Sequence, residues 1–161
     1  MATPLAFTGR SAHSAASVRA AFANEQYWKD RVEQVGGVNA RIESIAIDGE
    51  RVHVELVQTI PPADLPAQIT AIKPDGLVIP RTEVWNGSSG TFTARVDGAP
   101  AEVSGTLTLS ADGTGSTYVV DGNIEVKIPL FGRKIEAAIQ ENLSDLLVRE
   151  AEFTDNWLSS H

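Results

Sequence analysis

From Arg133 to about Leu158 the chain contains neither proline nor glycine and is rich in Glu, Ala, Leu and Ile. A run of that length free of helix breakers predicts one long terminal helix. At about 100° per residue, Ile135, Ile139, Leu143, Leu146, Phe153 and Trp157 share one stripe roughly 80° wide, with Leu147 and Leu158 at its borders. A stripe of this kind has to be buried against another layer.

The sequence before it supplies that layer. From residue 39 the apolar period is two, and turn residues cut the chain into strands. "ARIESIAI" and "RVHVELVQTI" flank Asp48-Gly49-Glu50, a hairpin signal because glycine accepts the positive φ of a tight turn. Val52, Val54, Leu56 and Ile60 share one parity, leaving Arg51, His53 and Glu55 on the other face. "LVIPRTEVWN", "TFTARVDG", "AEVSGTLTLS" and "STYVVDGNIEVKI" read as four further strands. Asp121-Gly122 interrupts the last of these, but the parity of Tyr118, Val120, Ile124, Val126 and Ile128 continues through it, so a bulge or bend is expected. Between these strands, "PPADLPAQITAIKPDG" is a long connection with room for a helical turn near Leu65 to Ile72.

At the other end, "PLAFTGRSA" reads as a short first strand with Leu5 and Phe7 on one face. Ser14 or a neighbour then caps the first of two short helices, which meet near Asn24 and end at Gly36-Gly37. The expected fold is α+β: an antiparallel sheet of about seven strands, two short helices after the first strand, and the long helix at the end.

The 161 residues suit one domain spanning 1–161, with 42% hydrophobic and 21% charged residues, in the range of ordinary globular proteins. A formal charge of −8 opposes nonspecific attraction to nucleic acid and anionic lipid. An apolar small molecule is therefore the expected partner, with no nucleic acid and no membrane insertion, since no long apolar segment is present. Cysteine is absent, which excludes disulfides and thiolate chemistry. The N-terminal residues lack a basic segment followed by an apolar run, so the default location is cytoplasmic. Two glycosylation sequons, at Asn86 and Asn142, carry no meaning in that compartment. The oligomeric state is not specified by the sequence.

The element order, together with Pro129-Leu130-Phe131-Gly132-Arg133-Lys134-Ile135-Glu136 leading into a helix that carries Glu150, Phe153 and Trp157, resembles the START-related superfamily. That superfamily includes the birch-pollen-allergen proteins and polyketide cyclases, and these residues are similar to an uncharacterised bacterial branch of it. The resemblance implies a helix-grip fold, in which a curved sheet wraps the last helix and encloses a cavity. It implies little about activity, because the superfamily holds binders of lipids, sterols, polyketides and hormones as well as enzymes.

No constellation of metal ligands is visible. The histidines, at 13, 53 and 161, lack metal-ligand spacing, and no phosphate loop or nucleophile elbow occurs. Neither a cofactor nor a metal is expected, and His53 reads as an exposed sheet residue. Trp28, Trp85 and Trp157 read first as core residues. Trp85 shares its strand face with Leu77, Ile79, Arg81 and Glu83. We read the Arg81–Glu83 side as solvent-facing, because charges are seldom buried, with polar groups inside a cavity as the other reading.

Glu150 poses the sharpest question, since it lies about 20° from Ile139 and Trp157, near the middle of the apolar stripe. An unpaired carboxylate there would cost several kcal/mol. The helix either turns Glu150 to solvent, pairs it with an internal arginine or hydroxyl, or presents it to a hydrated cavity. The candidate cavity residues are Glu150, Tyr118, Leu107, Val120, Leu143, Leu146, Phe153 and Trp85. On this reading the protein is a noncatalytic binder or carrier of a lipid or other apolar or aromatic molecule. The alternatives are a cyclase- or dehydratase-type enzyme using Glu150 as acid or base with a pKa raised by burial, and a protein-interaction module with a filled core.

Overall fold

The computed structural model describes residues 2–161. Its elements follow the order that the periodicities predict: β1 (Thr3–Ser11), α1 (Ala15–Phe22), α2 (Glu25–Val35), β2 (Arg41–Asp48), β3 (Arg51–Ile60), α3 (Ala67–Thr70), β4 (Leu77–Asn86), β5 (Ser89–Arg95), β6 (Ala101–Asp112), β7 (Gly115–Val126) and α4 (Gly132–Ser160). The long connection after β3 holds α3 and a 3₁₀ turn, Pro62–Asp64. The seven strands form one sheet in the order β1-β7-β6-β5-β4-β3-β2, every neighbouring pair antiparallel. β2 to β7 are thus a meander, and β1 closes onto its last strand.

Local chemistry sets the joints. The Ser14 side chain accepts from the Ser17 amide to cap α1, and the Asn24 side chain accepts from the Gln26 amide to cap α2, so the chain turns at Asn24 because a new helix starts there. In the β2–β3 hairpin Gly49 has φ of 63°, as a tight turn requires. α4 extends past both expected ends and covers 29 residues.

At β7 the bulge expected near Asp121-Gly122 is corrected. The ladder between β6 and β7 runs without a register shift past Gly122, which sits opposite Gly105. No bulge forms there. A Cβ on Gly105 would lie 2.8 Å from the Phe92 ring and one on Gly122 would lie 3.1 Å from it, so the two glycines make room for an aromatic side chain from β5. The register shift of this sheet is instead in β2, between Ile42 and Ser44.

The core lies between one face of the sheet and the three longer helices. Leu5, Val54, Leu56, Leu107, Val120 and Ile124 from the strands are almost fully buried, as are Tyr27 and Trp28 from α2. Ile135, Ile139, Leu147, Phe153 and Trp157 of α4 join the same apolar cluster, which bears out the predicted stripe. Among the described residues no helix is long and apolar enough to cross a membrane.

Candidate functional site in the sheet–helix interior

Four charged side chains meet in this core. Arg81 and Glu83 come from β4, Arg31 from α2 and Glu150 from α4, and none is more than 6% exposed. Arg81 and Glu83 share their parity with Leu77, Ile79 and Trp85, all of them buried, so this side of β4 faces the core. The solvent-facing reading of that pair is therefore wrong. Burial is tolerable because opposite charges arrive from two helices that a reading of the strand alone does not include.

Glu150 Oε2 lies 2.9 Å from Arg81 Nη1, and Glu150 Oε1 lies 3.3 Å from Arg81 Nη2 and 2.7 Å from Arg31 Nη2. Glu83 Oε2 lies 3.3 Å from Arg81 Nη2 and 3.5 Å from Arg31 Nη2. Trp85 Nε1 donates to Glu83 Oε1 at 3.0 Å, so this indole carries a polar duty within the core. Gln58 donates to Glu150 Oε2 at 3.2 Å and accepts from Arg81 Nη1 at 3.3 Å. The Arg31 guanidinium also lies over the Trp28 ring, 4.8 Å from its centroid.

The question of Glu150 is thus answered by the second of its three readings, an internal ion pair, although the residue also borders a small cavity. Burial acts to raise its pKa, but Arg31 and Arg81 outweigh burial and hold it at about 2. That is opposite to the rise expected of a catalytic acid in this position. Burial likewise acts to discharge the guanidiniums, and Glu150 is the foremost group holding both charged.

Around this network the packing leaves voids. One, of about 40 Å³, is lined by Phe22, Tyr27, Arg31, Leu109, Tyr118 and Glu150 and reaches outward past Gly9, Ser11, Ala151 and Asp155. A second, of about 20 Å³, is lined by Gln58, Arg81, Phe92, Leu107, Val120, Leu143, Leu146 and Leu147 among others. Two more of about 20 Å³ each continue beneath α4, past Leu143 and Ile139 to Ile135 and Ile72. The voids follow one another along the helix, and Arg31, Glu150 and Arg81 stand between the first and the second. A larger hollow, of about 670 Å³, lies on the outer face of the sheet among charged side chains of both signs, including Arg41, Glu43, Arg95 and Glu102.

Of the candidate cavity residues, Glu150 and Tyr118 line the first void, and Leu107, Val120, Leu143 and Leu146 line the second. Trp85 and Phe153 line neither and pack in the core, Trp85 against Phe22 and Tyr118, Phe153 against Tyr27. Arg31 and Gln58 were missed by the sequence reading, though both carried a signal. Arg31 falls on the helix face of Tyr27 and Trp28, and Gln58 shares the parity of Val54 and Leu56. His53 is exposed on the outer face, 3.5 Å from Glu55. No group of three or more His, Cys, Asp or Glu that could hold a metal occurs among the described residues.

Comparison with known proteins places this architecture. A family profile described as "Protein of unknown function (DUF2505)" matches residues 6–158. An uncharacterized protein of Mycobacterium tuberculosis is 31% identical over 160 residues, covering 92% of each chain. Among solved structures, a START superfamily protein from Mycobacterium smegmatis superimposes with a TM-score of 0.58 at 14% identity, covering 98% of this chain and 97% of the other. The Zhui aromatase/cyclase from a Streptomyces species superimposes with a TM-score of 0.59 at 11% identity, covering 98% and 92%. These likenesses agree with the helix-grip fold, a seven-stranded sheet gripping α4.

Proposed function

Because the chain belongs to the family described as a protein of unknown function, DUF2505, we propose its function from the interior of its fold: it binds a small, mostly apolar molecule between the sheet and α4. The observation that carries this reading is Arg81 Nε, a buried donor without a hydrogen-bond partner, on a side chain that borders the apolar void beneath Leu143 and Leu146. A buried donor left unpaired costs about 1–3 kcal/mol, so Arg81 Nε draws an acceptor into the space beside it. A guest with an acceptor would satisfy it. A buried ion network is likewise a poor stabiliser next to apolar packing, which favours a role in recognition.

The voids are small, and a water fills about 10–15 Å³ measured in this way. Binding must therefore widen the space under α4 or displace side chains. A lipid is one member of the apolar class, and a cytoplasmic carrier is the setting we propose. The superimposed START protein and aromatase/cyclase support an interior of this kind being used for small molecules. The enzyme alternative has less to stand on, because a carboxylate held at about 2 is fully ionised near neutral pH and is a weak base there.

Native mass spectrometry of the protein purified gently from its source tests the proposal. A mass above that of the chain, lost on organic extraction, is expected. A chain that carries no added mass and also fails to enhance the fluorescence of an apolar dye would refute it. Cell fractionation decides the compartment separately.

A further inference from the structure

The sheet has two edges, and the chain treats them differently. On β1, Pro4 has no amide hydrogen to offer, the Gln140 side chain donates to the Pro4 carbonyl at 2.7 Å, and α4 packs against the strand. β2, the last strand at the other end, carries neither proline nor lysine, and its residues are exposed apart from the half-buried Ile42 and Ile45. A bare edge of this kind is a template for another strand. Which groups it offers follows from the hairpin. Asp48 and Arg51 flank the two-residue turn and form its first hydrogen-bonded pair, and the alternation then assigns Ala46–His53 and Ser44–Glu55 to the ladder. The Gly87 amide donates to the Glu50 carbonyl, which fixes the same alternation from the other side: Val52 and Val54 bond toward β4, and Arg51, His53 and Glu55 toward β2. Ile45 and Ile47 therefore aim their amides and carbonyls away from β3, and among the described residues no hydrogen bond reaches them there.

Those four groups are complementary to themselves. Under a two-fold axis through Ala46, Ile45 of one chain lies opposite Ile47 of a second copy, so each of the two such pairs exchanges an amide and a carbonyl. The side chains agree with that register. Ile45 and Ile47 stand opposite Val54 and Val52 of β3 and so lie on the inner face, where they meet each other across the axis, and Ile47, 36% exposed in the single chain, is covered. On the outer face Ser44 meets Asp48, a hydroxyl against a carboxylate, and Ala46 meets its own copy. No like charges face each other. An axis through Ile45 would run into the register shift between Ile42 and Ser44, and one through Ile47 into the Gly49 turn.

We propose that β2 is a homodimerisation edge: two copies of this chain pair antiparallel through residues 44–48, joining their sheets into one with seven strands from each. The occupant is a second copy because the edge is matched to itself in hydrogen bonding, in the inner isoleucines and in the small neutral residue on the axis. The pairing uses nothing from the interior, so it stands apart from the binding function proposed above.

Sedimentation velocity of the full chain tests this at about 0.5 M NaCl, where the repulsion between two chains of charge −8 is screened. Between about 1 and 200 µM it should show a monomer–dimer equilibrium. Ala46→Lys and Ala46→Glu each set like charges against themselves on the axis and should weaken self-association at least about tenfold. Ala46 is exposed in the single chain, so both variants should fold, and melting curves check that. Mixed one to one, the two should recover a dimer, because opposite charges then face each other, and that rescue reads the register. In a chain without cysteine, Ala46→Cys should also crosslink to its copy under mild oxidation, since Cα atoms facing each other at such a position are about 4.5 Å apart. Ser44→Cys should not, because its two copies stand four residues out of step, roughly 13 Å. A chain that stays monomeric throughout, whether or not a strand of some other protein occupies the edge, would overturn the proposal. So would a dimer indifferent to both charged substitutions, one that they abolish and mixing does not restore, or a Ser44→Cys crosslink as fast as that of Ala46→Cys.

Discussion

Arg81 grips Glu150 with both terminal nitrogens, at 2.9 and 3.3 Å, joining the middle of β4 to α4 across 69 residues of sequence. Both partners are buried, and Arg31 closes on the same carboxylate from α2. Three layers of the fold are therefore tied at one point.

Removing the charge at that point should be costly. Glu150→Gln keeps the shape but leaves Arg31 and Arg81 with a single shared carboxylate, Glu83, so the cluster carries an uncompensated positive charge. A loss of about 3–5 kcal/mol is expected. Urea denaturation of variant and wild type would measure it, and unchanged or raised stability in the variant would show that the pair is not formed.

The same residue sets a pH dependence. The pKa of Glu150 is lowered in the folded state from 4.5 to about 2, so its contribution to stability is fully present above about pH 4.5. It is lost as pH falls through the folded value, between about pH 4.5 and 2. The size is on the order of 3 kcal/mol. Glu136 adds to the slope in the same direction: burial acts to raise its pKa, but hydrogen bonds from the Val126 amide at 2.9 Å and the Thr3 hydroxyl at 2.7 Å outweigh burial and lower it. Stability measured from pH 6 to 2.5 should fall less steeply in Glu150→Gln than in wild type. Parallel curves would count against the assignment.

Leu130 offers a change in the other direction. It has φ of 70° and is 95% exposed, so a leucine side chain bears the strain of the left-handed region and buries nothing in return. Glycine takes that conformation freely, though it also gains entropy in the unfolded chain. Leu130→Gly should stabilise by about 0.5–1 kcal/mol, seen as a rise of roughly 1–4 °C in melting temperature. A drop in melting temperature would mean that the Leu130 side chain has a stabilising role.

The strands, their inward parity, the helix caps and the span of α4 were legible in the sequence because each is set by neighbours within a turn or a pleat. Even Arg81 and Glu83 carried the right signal, sharing the parity of Ile79 and Trp85. What overruled that signal was the cost of burying charge, and that cost depends on compensating groups elsewhere in the chain. Arg31 and Glu150 lie 50 residues before and 69 residues after Arg81, and only the packing of α2 and α4 on the sheet brings all three together. The same holds for the interior space. Periodicity showed which faces meet at α4, but the volume left between them is the small residue of how Leu143, Leu146, Phe92 and their neighbours interlock. The tertiary structure alone decided that this space is a row of narrow voids divided by an ion pair.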